Sequence, residues 1–73
     1  MPKYTFDTKF SELMKDERVV KLAEEFCPEL MSHPLKNMAL AMGMTPNMAM
    51  PFFSKMYAQE KIEAFRQRIE SLE

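Results

Sequence analysis

One cysteine, one histidine and two Met-x-Met units are the side chains of this sequence best suited to chemistry. Cys27 and His33 are followed by Met42-Gly-Met44 and Met48-Ala-Met50. Soft thioether and thiolate sulfurs are the ligands that Cu(I) prefers, and a Cys–His pair can act as nucleophile and base. One hypothesis is therefore a small redox or Cu(I)-handling protein built on Cys27, His33 and the Met-x-Met pairs.

The surrounding sequence favours a structural role for the same residues. The chain has one Gly and one Cys, and it contains no paired carboxylates, Gly-rich phosphate loop or Cys-x-x-Cys motif. A lone Cys before Pro28 at a helix end is typical of a small buried apolar group, and Met fills irregular gaps in small cores. We therefore expect no enzymatic activity, no cofactor and no metal ligand, and we keep the copper hypothesis as the alternative.

Composition narrows the class of protein. The chain has 73 residues, of which 47% are hydrophobic and 29% charged, with a net charge of −1. These values favour one small globular domain over residues 1–73. A near-neutral charge argues against a nucleic-acid partner, and a single Cys excludes an intrachain disulfide. Gly43, Pro46 and Pro51 interrupt the uncharged run 37–54, which argues against membrane insertion.

The N-terminus lacks the apolar region of a secretory signal. We therefore expect a cytoplasmic protein if this sequence is the full-length chain.

Hydrophobic spacing predicts an all-α bundle of four or five short helices after a short extended lead-in. Alternation places Tyr4 and Phe6 on one face of the lead-in, and Asp7 or Thr8 can cap a first helix ending near Met14. Asp16 is the expected cap of a second helix, which Pro28 stops, and residues 29–33 form a link that can contain one helical turn. The inward positions of this second helix are Val19, Val20, Leu22, Ala23 and Phe26.

The second half of the chain carries three further helix signals. Ser32 followed by Pro34 predicts the start of a third helix, and Gly43 is its expected left-handed C-cap. Thr45-Pro46 predicts a fourth helix, which Pro51 ends or kinks after about one turn. A segment that carries Phe52, Phe53, Met56 and Tyr57 then resumes. A last helix is predicted over 59–72. The inward stripes are Leu35, Met38, Ala39 and Met42 in the third helix, and Ile62, Phe65, Ile69 and Leu72 in the last.

The centre of the chain contains more apolar side chains than one compact face can hide. No carboxylate occurs between Glu29 and Glu60, and seven of the nine methionines lie there. Exposed Met and aromatic residues form adaptable surfaces for protein partners. The candidate interaction surface comprises Leu40, Met44, Met48, Met50, Phe52, Phe53 and Tyr57.

Four segments give this chain a recognisable order: Tyr4-Thr-Phe-Asp-Thr-Lys-Phe-Ser-Glu-Leu-Met, Phe26-Cys-Pro-Glu-Leu, His33-Pro34 and Met38-Ala-Leu-Ala-Met-Gly-Met-Thr. This order resembles a small helical domain at the C-terminus of some bacterial carbohydrate-active hydrolases and esterases, over about residues 4–72. Lys9 and Ser11 replace the usual Pro and Gly of the opening segment, and Glu29 replaces a turn Gly.

The resemblance implies a non-catalytic accessory domain and no catalytic residues. We therefore expect an accessory or protein-interaction module whose partner is a host hydrolase domain, another protein or, weakly, a second copy of the chain.

Overall fold

Six helices make up the fold in the computed structural model, which describes residues 2–72. They are α1 (Phe10–Leu13), α2 (Glu17–Phe26), α3 (Pro28–Met31), α4 (Lys36–Ala41), α5 (Met50–Met56) and α6 (Gln59–Glu70). Residues 2–72 contain no strand, so the predicted all-α class is confirmed. The structure has more helices than the expected four or five because the link at 29–33, in which at most one helical turn was expected, overlaps α3.

Helices α2 and α6 pack against each other and supply the centre of the core. The Asp16 carboxylate accepts a hydrogen bond from the Arg18 backbone N–H at 2.9 Å, which confirms Asp16 as the N-cap of α2. The predicted inward faces of both helices are largely confirmed, since their buried members are Val19, Leu22, Ala23, Ile62, Phe65 and Ile69.

The extended lead-in packs on this core as the alternation predicts. Tyr4 and Phe6 are both buried, and the Phe6 ring lies 6.0 Å from that of Phe65, measured between centroids. The Tyr4 hydroxyl donates to the Asp16 carboxylate at 2.9 Å. The lead-in is therefore connected both to the α6 side of the core and to the α2 cap.

The predicted side-chain cap of α1 is wrong. Lys9 occupies the N-cap position and makes no side-chain cap bond, while Thr8 Oγ1 accepts the N–H of Thr5. The Phe10 N–H instead donates to the carbonyl of Met44 at 2.8 Å. A helix-terminal donor needs a partner, and here a distant segment of the chain supplies it.

Two further hydrogen bonds complete the pairing between the lead-in and residues 44–47. The Asn47 N–H donates to the carbonyl of Phe6 at 3.0 Å, and Asn47 Nδ2 donates to Asp7 Oδ1 at 2.7 Å. This pairing brings α1 against α4.

Helix α4 is rotated relative to the prediction. Leu35, Met38 and Met42 are exposed instead of buried, and no residue of α4 itself is buried. The predicted Ser32 cap is also wrong, because Ser32 Oγ donates to the carbonyl of Pro28. The N–H of Leu35, at the start of α4, is instead accepted by His33 Nδ1 at 3.1 Å.

Gly43 ends α4 as predicted, with φ of +70°. The N–H of Gly43 donates to the carbonyl of Leu40, and the N–H of Met44 donates to that of Ala39. These two bonds form a Schellman motif, which satisfies carbonyls at the end of the helix.

The predicted helix boundary at Pro51 is wrong, although the segment that was expected to resume after it is helical, as α5. Pro51 lies in the first turn of α5 rather than at the end of a helix, where its missing N–H leaves no hydrogen bond unmade. Thr45 Oγ1 accepts the Met48 N–H at 3.2 Å, but residues 46–49 form turns rather than the predicted helix.

None of the helices among residues 2–72 combines the length and the apolar character that a membrane span needs.

Replacing Gly43 by Ala tests the left-handed cap. The nearest atoms to an added Cβ belong to the flexible Lys9 side chain at 3.9 Å, so the cost comes from the positive φ alone. We expect Gly43→Ala to lower the free energy of unfolding by about 1 kcal/mol in urea titrations, and Gly43→Asn to lower it less. Equal stability of Gly43→Ala and the parent would contradict this account.

Candidate functional site

An apolar cavity of about 360 Å³ lies between α4, the turns at 45–49 and the α2–α6 core. Its floor includes Val19, Ala23 and Ile69, which are buried. Leu35, Met48 and Phe52 also line it and are exposed, so they mark its opening. The cavity therefore runs from the surface of the domain to its centre.

The position of α4 explains why this space exists. Helix α4 packs mainly on α1 and contributes Lys36, Ala39 and Leu40 to the cavity wall. Because α1 is hydrogen-bonded to Met44, α4 is held beside α1 and away from the α2–α6 core. Small side chains at Ala39 and Ala49 leave the remaining gap unfilled.

Three of the lining residues carry polar groups: Cys27, His33 and Lys36. The rest of the wall is almost entirely apolar, and it includes no carboxylate. The His33 ring stands perpendicular to that of Phe52, with 5.3 Å between the centroids. Because His33 Nδ1 accepts the Leu35 N–H, a neutral ring carries its hydrogen on Nε2.

Cys27 is placed as a core residue rather than as a nucleophile. Its side chain is buried, and burial raises the pKa of the thiol to about 11. The thiol is therefore protonated at neutral pH, whereas nucleophilic attack and metal ligation use the thiolate. Both Cys27 and His33 line the cavity, but the environment of Cys27 does not activate its sulfur.

Glu29 and Tyr57 connect α3 to the residue that follows α5. The Tyr57 hydroxyl donates to Glu29 Oε2 at 2.6 Å. This hydrogen bond lowers the pKa of the Glu29 carboxyl. Burial, followed by the bond to Glu29, raises the pKa of the Tyr57 phenol. The pair thus joins two segments whose neighbours Leu30, Met31 and Phe53 line the cavity.

The predicted interaction surface is only partly exposed. Met48 and Phe52 are exposed, but Phe53 is only 4% exposed and belongs to the core. Leu40, Met44, Met50 and Tyr57 are half-buried. The cavity wall includes five of the seven predicted residues: Leu40, Met44, Met48, Phe52 and Phe53.

Exposed residues outside the predicted set extend this surface. We define the methionine face as the large hydrophobic side chains that are exposed between residues 35 and 56: Leu35, Met38, Met42, Met48, Phe52 and Met56. Leu35, Met38 and Met42 follow each other at helical spacing, as do Phe52 and Met56. Since Leu35 and Phe52 both stand at the cavity opening, the two rows meet there.

Sequence reasoning assigned Leu35, Met38 and Met42 to the core because their spacing is that of a buried stripe. After Lys36 and Asn37 in its first turn, α4 contains only apolar residues, so no polar stripe runs along the helix to identify its outer side. The one available signal was the excess of large apolar residues in the segment, which correctly indicated exposure without identifying the residues.

Within residues 2–72, no group of three or more His, Cys, Asp or Glu side chains is arranged to hold a metal ion. Comparisons with protein-family models, curated proteins and solved structures gave no match to this chain.

The Tyr57–Glu29 pair predicts a two-sided pH dependence. Because the folded pKa of Glu29 is lowered, its stabilisation is complete above the unfolded value of about 4.3 and is lost as pH falls through the folded value. The folded pKa of Tyr57 is raised. The stabilisation that Tyr57 contributes is therefore complete below its unfolded pKa of about 10 and is lost as pH rises through the folded pKa.

Tyr57→Phe should therefore lower the urea midpoint most between about pH 5 and 9, and less on either side. The control is the Glu29→Gln background. In it, Tyr57→Phe should lower the urea midpoint by less than it does in the parent protein. A midpoint difference that is constant with pH would contradict the assignment.

Exposure also predicts the order in which methionines oxidise. Met38, Met42 and Met48 are 56%, 68% and 60% exposed, whereas Met14, Met31, Met44 and Met50 are half-buried. In dilute peroxide we expect the first group to form sulfoxides before the second, as read by peptide mass spectrometry. The same reaction in concentrated urea should abolish the order, and an unchanged order there would point to local sequence instead of exposure.

Proposed function

We propose that this chain is a non-catalytic interaction module that covers an apolar surface of a protein partner with its methionine face. The observation that carries the proposal is the exposure of six large hydrophobic side chains between residues 35 and 56, three of which (Leu35, Met48 and Phe52) stand at the cavity opening. Contiguous apolar surface on a small domain is typical of interaction sites.

The chemistry of the face indicates the kind of partner. Met side chains are flexible and polarisable, so they adapt to different apolar shapes. The segment between Glu29 and Glu60 contains Lys36 and Lys55 but no carboxylate. An amphipathic helix with an apolar stripe and acidic flanks is the complementary surface. By the resemblance described above, a host hydrolase domain is the first candidate to present it.

The alternative role in redox chemistry or Cu(I) handling is supported by the sequence pattern alone. The buried, protonated Cys27 thiol does not favour it.

Helical peptides that share one apolar stripe but differ in flanking charge provide the test. We expect the acidic peptide to bind more tightly than the basic one in fluorescence anisotropy. The double variant Met38→Ser/Met42→Ser should weaken binding about tenfold or more, because truncation of exposed anchors removes buried contact area.

The matched control is Lys21→Ser/Glu24→Ser, which changes two exposed positions of α2 and should leave the affinity unchanged. Equal affinity of the parent and the methionine double variant would overturn the proposal. The proposal would also be overturned if sedimentation velocity showed a stable self-association through the methionine face that prevents the peptides from binding.

A further inference from the structure

Lys36 is the only charged residue in the cavity wall, and nothing in the described chain neutralises it. Its side chain is half-buried, and among residues 2–72 it takes part in no ion pair. A lysine in such a position packs its apolar stem along the wall while its ammonium group stays near solvent, where it can pair with an anion. No Asp or Glu lines the cavity, so an anion that pairs with Lys36 there would come from a bound ligand.

The space next to Lys36 suits a flexible hydrocarbon chain. It extends from the exposed Leu35 and Phe52 down to the buried Val19 and Ile69. Its volume of about 360 Å³ falls in the range of small-molecule sites. Apolar walls offer water few hydrogen-bond partners, so an alkyl chain would replace weakly held solvent.

We propose that this cavity is a binding site for a single-chain anionic amphiphile, a medium-length fatty acid, whose alkyl tail lies along the apolar wall and whose carboxylate pairs with Lys36. Lys supplies a compact positive charge with three donors. His33, whose Nδ1 is occupied by the Leu35 N–H, offers Nε2–H as a second donor in the same wall.

The proposals for the ligand site and for the methionine face can be tested separately, because different methionines report on each of them. Met14, Met31 and Met44 line the cavity and lie outside the methionine face, whereas Met38, Met42 and Met56 belong to that face and do not line the cavity. A ligand inside the cavity changes the surroundings of the first set, while a helix laid over the methionine face changes those of the second. The ligand proposal therefore does not depend on the proposed function.

The experiment is titration of protein carrying ¹³C-labelled Met methyl groups with decanoate, decanol and decyltrimethylammonium, each below its micelle concentration. We expect decanoate to shift the methyl signals of Met14, Met31 and Met44 saturably, with little effect on Met38 and Met42. Decanoate should bind about fivefold or more tightly than the cationic amphiphile, as expected for one partly exposed ion pair.

Two variants and a matched control separate the contribution of charge from that of the cavity. Lys36→Met should remove the preference for decanoate over the cationic amphiphile and retain decanol binding. Lys21→Met removes an exposed lysine of α2 that does not line the cavity, and it should leave the affinity for each amphiphile unchanged. Ala39→Leu should weaken all three amphiphiles by filling the cavity, and Ala49→Leu serves the same purpose if the first variant does not fold.

Three results would overturn the proposal. The first is equal binding of the anionic and cationic amphiphiles. The second is a larger shift of Met38 and Met42 than of the cavity methionines, which would indicate adsorption to the methionine face. The third is unchanged affinity in a folded cavity-filling variant.

Discussion

The pairing of residues 6–10 with residues 44–47 is the interaction on which the arrangement of this domain depends. Two backbone bonds and the Asn47–Asp7 bond join segments that are far apart in the chain. They satisfy polar groups that would otherwise lack partners, including the first donor of α1. They also hold α4 beside α1, so that the helix forms one side of a cavity.

A second consequence concerns which residues make the core. The lead-in, α2 and α6 supply most of the buried side chains, and Phe65 contacts both Phe6 and Phe26 at ring-centroid distances of 6.0 and 5.7 Å. From the central segment, Phe53 is the one large hydrophobic residue that joins this core. Met50 is half-buried against this core. The other Met, Leu and Phe side chains of that segment line the cavity or form the methionine face.

The side chains that first suggested redox or metal chemistry have structural roles in this fold. Cys27 is buried beside the cavity with a protonated thiol. His33 accepts the backbone N–H of Leu35 at the start of α4, and its ring packs against Phe52. The Met-x-Met units are divided between half-buried and exposed positions. Lys36 is the one charged residue in the cavity wall, and no motif of the sequence identifies it as a site residue.

Features with local signals could be predicted from the sequence: the Asp16 cap of α2, the apolar stripe of α6 and the left-handed Gly43. These features depend on φ/ψ preference, nearby hydrogen bonds and a 3.6-residue period, all set within a few positions. The rotation of α4 depends instead on tertiary contacts, because four of its six residues are apolar and its pattern fits more than one face. Tertiary structure also decided the partner of the Phe10 N–H, which lies 34 residues away at Met44. The cavity and the methionine face follow from those two long-range choices, and local periodicity does not encode them.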